Sequence, residues 1–123
     1  MASTRSALRS SAPLFAALGD ATRLRIVARL CSGGPQSITR LTEGSDVSRQ
    51  AVTKHLRVLE GAGVVRGVRH GRESRWALAP EKLEAAQRYL ERISHEWNTR
   101  LDSLERHLDV MAEREERAAK KRR

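Results

Sequence analysis

Residues 48–63 read SRQAVTKHLRVLEGAG. Wound at about 100° per residue, this stretch sorts into two faces. Val52, Leu56 and Leu59 share one stripe, with His55 and Ala62 at its flank, and that stripe needs a core. Gln50, Thr53, Lys54 and Arg57 fall together on the opposite face. Ser48 precedes the first turn as an N-cap, while Gly61 and Gly63 suit a left-handed turn at the far end. An amide, a hydroxyl and two cations on one face match what a major groove offers. Gln pairs bidentately with adenine, Lys or Arg reaches guanine, and Thr bonds either way or touches a thymine methyl. A solvated helix face explains the same pattern when the stretch is taken alone, so its neighbours must decide.

Upstream, Ser37 to Glu43 reads as a short helix with Ile38 and Leu41 inward, and Gly44-Ser45-Asp46 turns the chain into Val47. Helix, turn with Gly, helix is the helix-turn-helix order, in which the second helix enters the major groove. Before it, Asp20 is placed to cap a helix in which Leu24, Val27, Ala28 and Cys31 follow the i, i+3, i+4, i+7 rule. Ile26 and Leu30 widen that surface, and Arg25 and Arg29 are expected to face outward. Cys31 on the stripe reads as a small buried hydrophobe. Ser32-Gly33-Gly34-Pro35 stops the helix. Earlier still, Pro13 suits the first turn of a helix Pro13–Leu18 carrying Leu14, Phe15 and Leu18. Residues 1–12 are small, polar and basic, and read as a flexible arm or a frayed first helix.

Downstream, residues 64–78 (VVRGVRHGRESRWAL) alternate loosely around a His70-Gly71-Arg72 turn. A hairpin after a reading helix is a wing. Arg69, His70, Arg72 and Arg75 would then sit beside a phosphate backbone or a minor groove; an ordinary hairpin with solvent-facing arginines is the alternative.

From Ala79-Pro80-Glu81 onward the pattern is a long helix, with Leu83, Leu90, Trp97, Leu104 and Met111 recurring every seven residues. Ala86 and Ile93 flank this row early, and Leu101 and Leu108 flank it later, the drift of a nearly straight helix. Its apolar row exceeds what one small domain covers, which points to the same helix in a second subunit. The expected dimer interface joins Leu14, Phe15 and Leu18 of the first helix to Leu90, Trp97, Leu101, Leu104 and Leu108 of the last. The organisation expected is an arm over 1–12, a winged helix-turn-helix over 13–79, a dimerisation helix over 80–111 and a frayed charged tail over 112–123. The fold class is mainly α with a small β-hairpin.

Composition agrees. The 123 residues carry a formal charge of +9. Residues 1–78 hold 13 Lys and Arg against 5 Asp and Glu, and residues 79–123 hold 11 against 10, so the excess lies with the reading helix. No run is long enough for a membrane span, and the N-terminus lacks the apolar centre of a signal peptide. The expectation is a soluble, cytoplasmic protein. No nucleophile–base pair suggests an enzyme, and aromatics at 3% disfavour a module that stacks single-stranded RNA. A helical interaction module whose basic face serves only solubility remains the rival from another class.

Three segments together resemble the ArsR/SmtB family of bacterial winged-helix repressors: ALGDATRLRIVARL at 17–30, SRQAVTKHLRVLEGAGVV at 48–65 and RHGRESRWAL at 69–78. Asp20, Arg23 and Ile26 match the family's helix-2 signature, and His55-Leu56 with Leu59 matches its recognition helix. The resemblance implies a homodimer that binds a palindromic operator on double-stranded DNA and represses transcription, with Ser48, Arg49, Gln50, Thr53, Lys54 and Arg57 in the groove. Arg69, His70 and Arg72 would hold the flanking backbone.

Metal-sensing members carry a Cys-x-Cys-type motif where Ser37–Glu43 has neither Cys nor His. Other members place ligand pairs on the last helix, whereas His95 and His107 here lie twelve residues apart. No metal ligand set, cofactor or small-molecule effector is therefore specified, although a metal- or thiol-responsive sensor of the same family is an alternative. Residues 95–108 (HEWNTRLDSLERHL) resemble the last helix of a metal-independent branch. His55 reads as a hydrogen-bonded structural residue.

Overall fold

A computed structural model describes residues 4–122. Helix α1 spans Thr4–Leu18, α2 Ala21–Gly33, α3 Ile38–Thr42 and α4 Arg49–Gly61. Strands β1 (Val65–His70) and β2 (Glu73–Leu78) follow, and α5 spans Pro80–Lys121. This is the mainly helical winged helix-turn-helix expected, with a two-stranded antiparallel sheet as its wing. Two units divide the chain, one running up to Tyr89 and the other from Leu90.

The first unit is organised by α4. Val52, Leu56 and Leu59 are its buried residues and join Leu14, Ala17, Ile26, Leu30, Leu41, Val64, Val65 and Trp76 in one aliphatic core. Each helix start has the cap that its sequence supplies. Asp20, Ser37 and Ser48 accept from the N–H groups of Arg23, Arg40 and Ala51, relieving donors that the first turn cannot satisfy. After α4 the chain turns through Gly63 at φ +79, a conformation that costs glycine little, while Gly61 stays helical. In the wing, His70 pairs with Glu73, leaving Gly71-Arg72 as a two-residue turn. Gly71 at φ +64 followed by a residue of negative φ is the type II′ arrangement that matches strand twist.

Several expectations change. The first helix spans Thr4–Leu18 and does not start at Pro13, so Pro13 lies inside α1 and residues 4–12 of the expected arm are helical. The proline ring is exposed, and the turns on either side are anchored by Ser11, Leu14 and Ala17, each no more than 4% exposed. That anchoring offsets the hydrogen bond that proline removes. Residues 1–3 of the arm lie outside the described residues.

On α2 the buried residues are Ile26 and Leu30, whereas Leu24, Ala28 and Cys31 are exposed. Cys31 is therefore not a core residue. Arg29, expected outside, is half-buried and donates to the carbonyls of Leu41 (3.0 Å) and Glu43 (2.8 Å). It thus supplies partners for carbonyls at the end of the short α3, where the helix has none of its own.

Helix α5 does not fray at residue 112 but continues to Lys121. The segment AEREERAAKK consists of strong helix formers, spaces Glu113 and Glu116 four residues before Arg117 and Lys120, and ends on cations that favour a helix C-terminus. In the second unit Leu90, Ile93, Trp97, Leu101, Leu104 and Leu108 are all exposed, Trp97 at 60%. No helix among the described residues is long and apolar enough to cross a membrane.

Candidate nucleic-acid interface

The polar face of α4 is presented by contacts on its other side. Arg23 of α2 bridges three elements: its Nε donates to the Ala17 carbonyl at the end of α1, and its second nitrogen lies 3.3 Å from Nδ1 of His55 on α4. Asp20 Oδ2 lies 3.9 Å from the same ring nitrogen. His55 is thus the hydrogen-bonded structural residue expected from its flanking position. The Arg23 N–H bond holds the Asp20 carboxyl below its ordinary range, helped by the charges of Arg23 and His55 and opposed by partial burial. This cluster sets how α4 leaves the core.

With its apolar stripe fixed, α4 turns Ser48, Arg49, Gln50, Lys54 and Arg57 to solvent. Thr53 is half-buried, and its hydroxyl donates to the Arg49 carbonyl at 2.9 Å, so it is partly committed to its own helix. Arg57 is exposed but engaged twice. It donates to Glu60 Oε1 at 3.2 Å, and its guanidinium carbon lies 5.7 Å from the centroid of the Trp76 ring. Val58, unremarked in the sequence, is 46% exposed on the same helix.

At the wing, Arg69, His70 and Arg72 are exposed. Arg75 is bound to Glu73 at 3.0 Å and Arg66 to Glu81 at 3.8 Å, which leaves the tip cations as the freer charges. A surface cleft lined by Ser37, Ile38, Thr39, Arg49, Arg72, Glu73 and Ser74 brings the wing tip beside the first turn of α4, with one carboxylate beside its two cations. The fold therefore collects Arg49 and Arg72, 23 positions apart, at one place. Trp76 carries this arrangement and escaped the sequence reading. Its backbone N–H and carbonyl pair with Gln36 (2.8 and 3.0 Å), tying the wing to the chain just before α3. The signal was a lone tryptophan in an alternating strand facing a basic helix.

Of the residues expected at a dimer interface, Leu14 is 2% exposed and belongs to the core. Phe15 and Leu18 are half-buried, with Phe15 tilted against Tyr89 at 6.4 Å between ring centroids. On α1 the large apolar side chain exposed among the described residues is Leu8, at 50%, within the segment expected as an arm. No group of three or more metal-ligating side chains occurs among the described residues.

A family model described as a helix-turn-helix domain matches residues 18–68. The chain is 38% identical over 88 residues to the HTH-type transcriptional regulator Rv2034 of Mycobacterium tuberculosis, a match spanning 72% of this chain and 81% of that protein. It is 33% identical over 91 residues to the HTH-type transcriptional repressor SmtB of the same species, spanning 74% and 65% respectively. Among solved structures, an ArsR-like transcriptional regulator from Rhodococcus sp. RHA1 superposes with a TM-score of 0.69 at 41% identity, over 78% of this chain and 90% of that one. A capped, outward-facing basic helix beside a wing, in a chain so related, defines a DNA-binding transcriptional regulator. Within that class, the chain belongs to the ArsR/SmtB-type helix-turn-helix regulators.

Proposed function

We propose that this regulator is a cytoplasmic homodimeric repressor that binds a palindromic operator, with no catalytic role, metal or cofactor. Arg49, Gln50 and Lys54 enter the major groove, and Arg72 with Arg69 and His70 holds the adjoining backbone. The observation that carries this reading is that Arg49 on the reading helix and Arg72 on the wing line one cleft. A groove contact and a backbone contact made together position the reading helix as well as attract it. Phosphate contacts set affinity, while Gln50, which carries no charge, has a pairing geometry suited to adenine.

Dimerisation is supported by the exposed row Leu90, Trp97, Leu101, Leu104 and Leu108. Two reading helices about 34 Å apart fit successive half-sites one turn of DNA apart. The name of the related SmtB protein favours repression over activation.

The test is a salt titration of binding to random duplex DNA, then to the promoter upstream of the protein's own gene. The expected result is a steep linear fall of log K with log salt on both, and tighter binding to the promoter. Salt-independent binding, or none to either duplex, would leave only the solvated-face reading.

A further inference from the structure

Between α3, the C-terminal half of α4 and the wing lies a second cleft, of about 390 Å³, whose apolar residues DNA contact does not require. Its lining includes Gly67 and the apolar side chains of Ile38 and Trp76. Gly67, Arg69, Ser74 and Trp76 share one face of the hairpin, while Val68 and Arg75, also at the cleft, alternate to the other. Arg57 and Arg69 bring cations to it. Arg57 is matched by Glu60. Arg69 has no such partner among the described residues. The cleft therefore carries one positive charge in excess beside a surface that prefers hydrocarbon. A DNA phosphate would use the charge and ignore the apolar surface. A small molecule with one carboxylate and a flat apolar body would use both.

We infer that this cleft is a binding site for an amphipathic monocarboxylate, and that its occupant opposes DNA binding. The carboxylate meets Arg69 and the Arg57 guanidinium, and the apolar body lies along Ile38, Gly67 and Trp76. Arg57 stands on the reading helix and Arg69 on the wing, so an anion held between them competes with the DNA backbone for the same charges. This second half rests on the DNA-binding reading; the binding site itself does not.

Gly67 gives the inference a clean test. It lines the cleft in mid-strand, its φ is not in the left-handed region, and a Cβ built on it meets nothing within 4 Å. Gly67→Val therefore places a branched side chain at the cleft with its Cβ free of close contacts, and suits a strand. The full chain, isotopically labelled, is titrated with 1-naphthoate while the Trp76 indole and Gly67 amide resonances are followed. Saturable shifts are expected in the wild type by about 10 mM ligand, weakened at least about tenfold in both Gly67→Val and Arg69→Gln. The neutral 1-naphthalenemethanol and inorganic phosphate should each fail to reproduce them.

Absence of saturable shifts, or shifts that persist unchanged in Gly67→Val, overturns the site. Shifts reproduced by inorganic phosphate would make the cleft a plain phosphate seat and overturn it equally. In a separate arm, saturating naphthoate should weaken binding of duplex DNA to the wild type but not to Gly67→Val. If the wild type binds no DNA even without naphthoate, the proposed function fails while the ligand titration still decides the site; DNA binding indifferent to bound naphthoate overturns the antagonism.

Discussion

Arg23 and His55 meet at 3.3 Å across 32 positions of sequence, guanidinium to imidazole Nδ1, and join α2 to the reading helix. The same guanidinium donates to the Ala17 carbonyl, so one side chain aligns α1, α2 and α4. Arg23→Gln should cost about 1.5–3 kcal/mol of stability, the range for a charge-assisted hydrogen bond. Urea denaturation measures this; an unchanged midpoint would mean that the α2–α4 geometry is held by the apolar core alone.

Asp20 makes the stability of this cluster depend on pH. Its folded-state carboxyl is lowered from the ordinary value of 3.8, first by the Arg23 N–H bond and then by nearby positive charge. A lowered folded value means that the stabilisation is fully present above 3.8 and is lost as pH falls through the folded value. Asp20→Asn retains a capping side chain but not the titration. Thermal melts on either side of pH 3.8 should show the wild type losing stability relative to Asp20→Asn at the acid end. Parallel curves would assign the acid sensitivity to other carboxylates.

Base contacts and backbone contacts should separate by mutation. Gln50→Ala is expected to weaken operator binding by roughly 1–3 kcal/mol and random-duplex binding very little. Arg72→Ala should weaken both and reduce the salt slope by about 1. Arg57→Ala should also lower folding stability, because that side chain packs on Trp76 and pairs with Glu60. Comparison of anisotropy titrations on both duplexes decides it; equal losses for Gln50→Ala would make it a phosphate contact.

Assembly should divide α1 from within. Leu14→Ala removes a core side chain and should cost about 2–5 kcal/mol of stability. Leu8→Glu should spare the core and act on association. The double change Leu101→Glu with Leu104→Glu sets like charges in an apolar row. A helical monomer that no longer binds operator is expected by ultracentrifugation and circular dichroism. If that variant remains dimeric and still binds its operator, the interface lies elsewhere.

What was legible in the sequence was what local interactions settle. The two faces of α4 could be read because its apolar residues occupy a single stripe, leaving one orientation that buries them. The caps Asp20, Ser37 and Ser48 act within three residues, and Gly71 answers a steric demand of its own turn. The candidate groove residues Arg49, Gln50 and Lys54 inherit their exposure from that same stripe. Where a helix offered more than one apolar arc, periodicity could not choose. On α2 the rows Leu24–Ala28–Cys31 and Ile26–Leu30 compete, and only packing against α4 and the wing selected the second.

Tertiary structure likewise decided that Leu14 is core, that Pro13 rides within a helix, and that Arg29 serves the carbonyls of α3. The packing of Arg57 on Trp76, and the cleft that Arg49 and Arg72 both line, involve residues on different elements, α4 and the hairpin. Such contacts depend on how elements stack once the aliphatic core closes, a geometry that no local periodicity encodes.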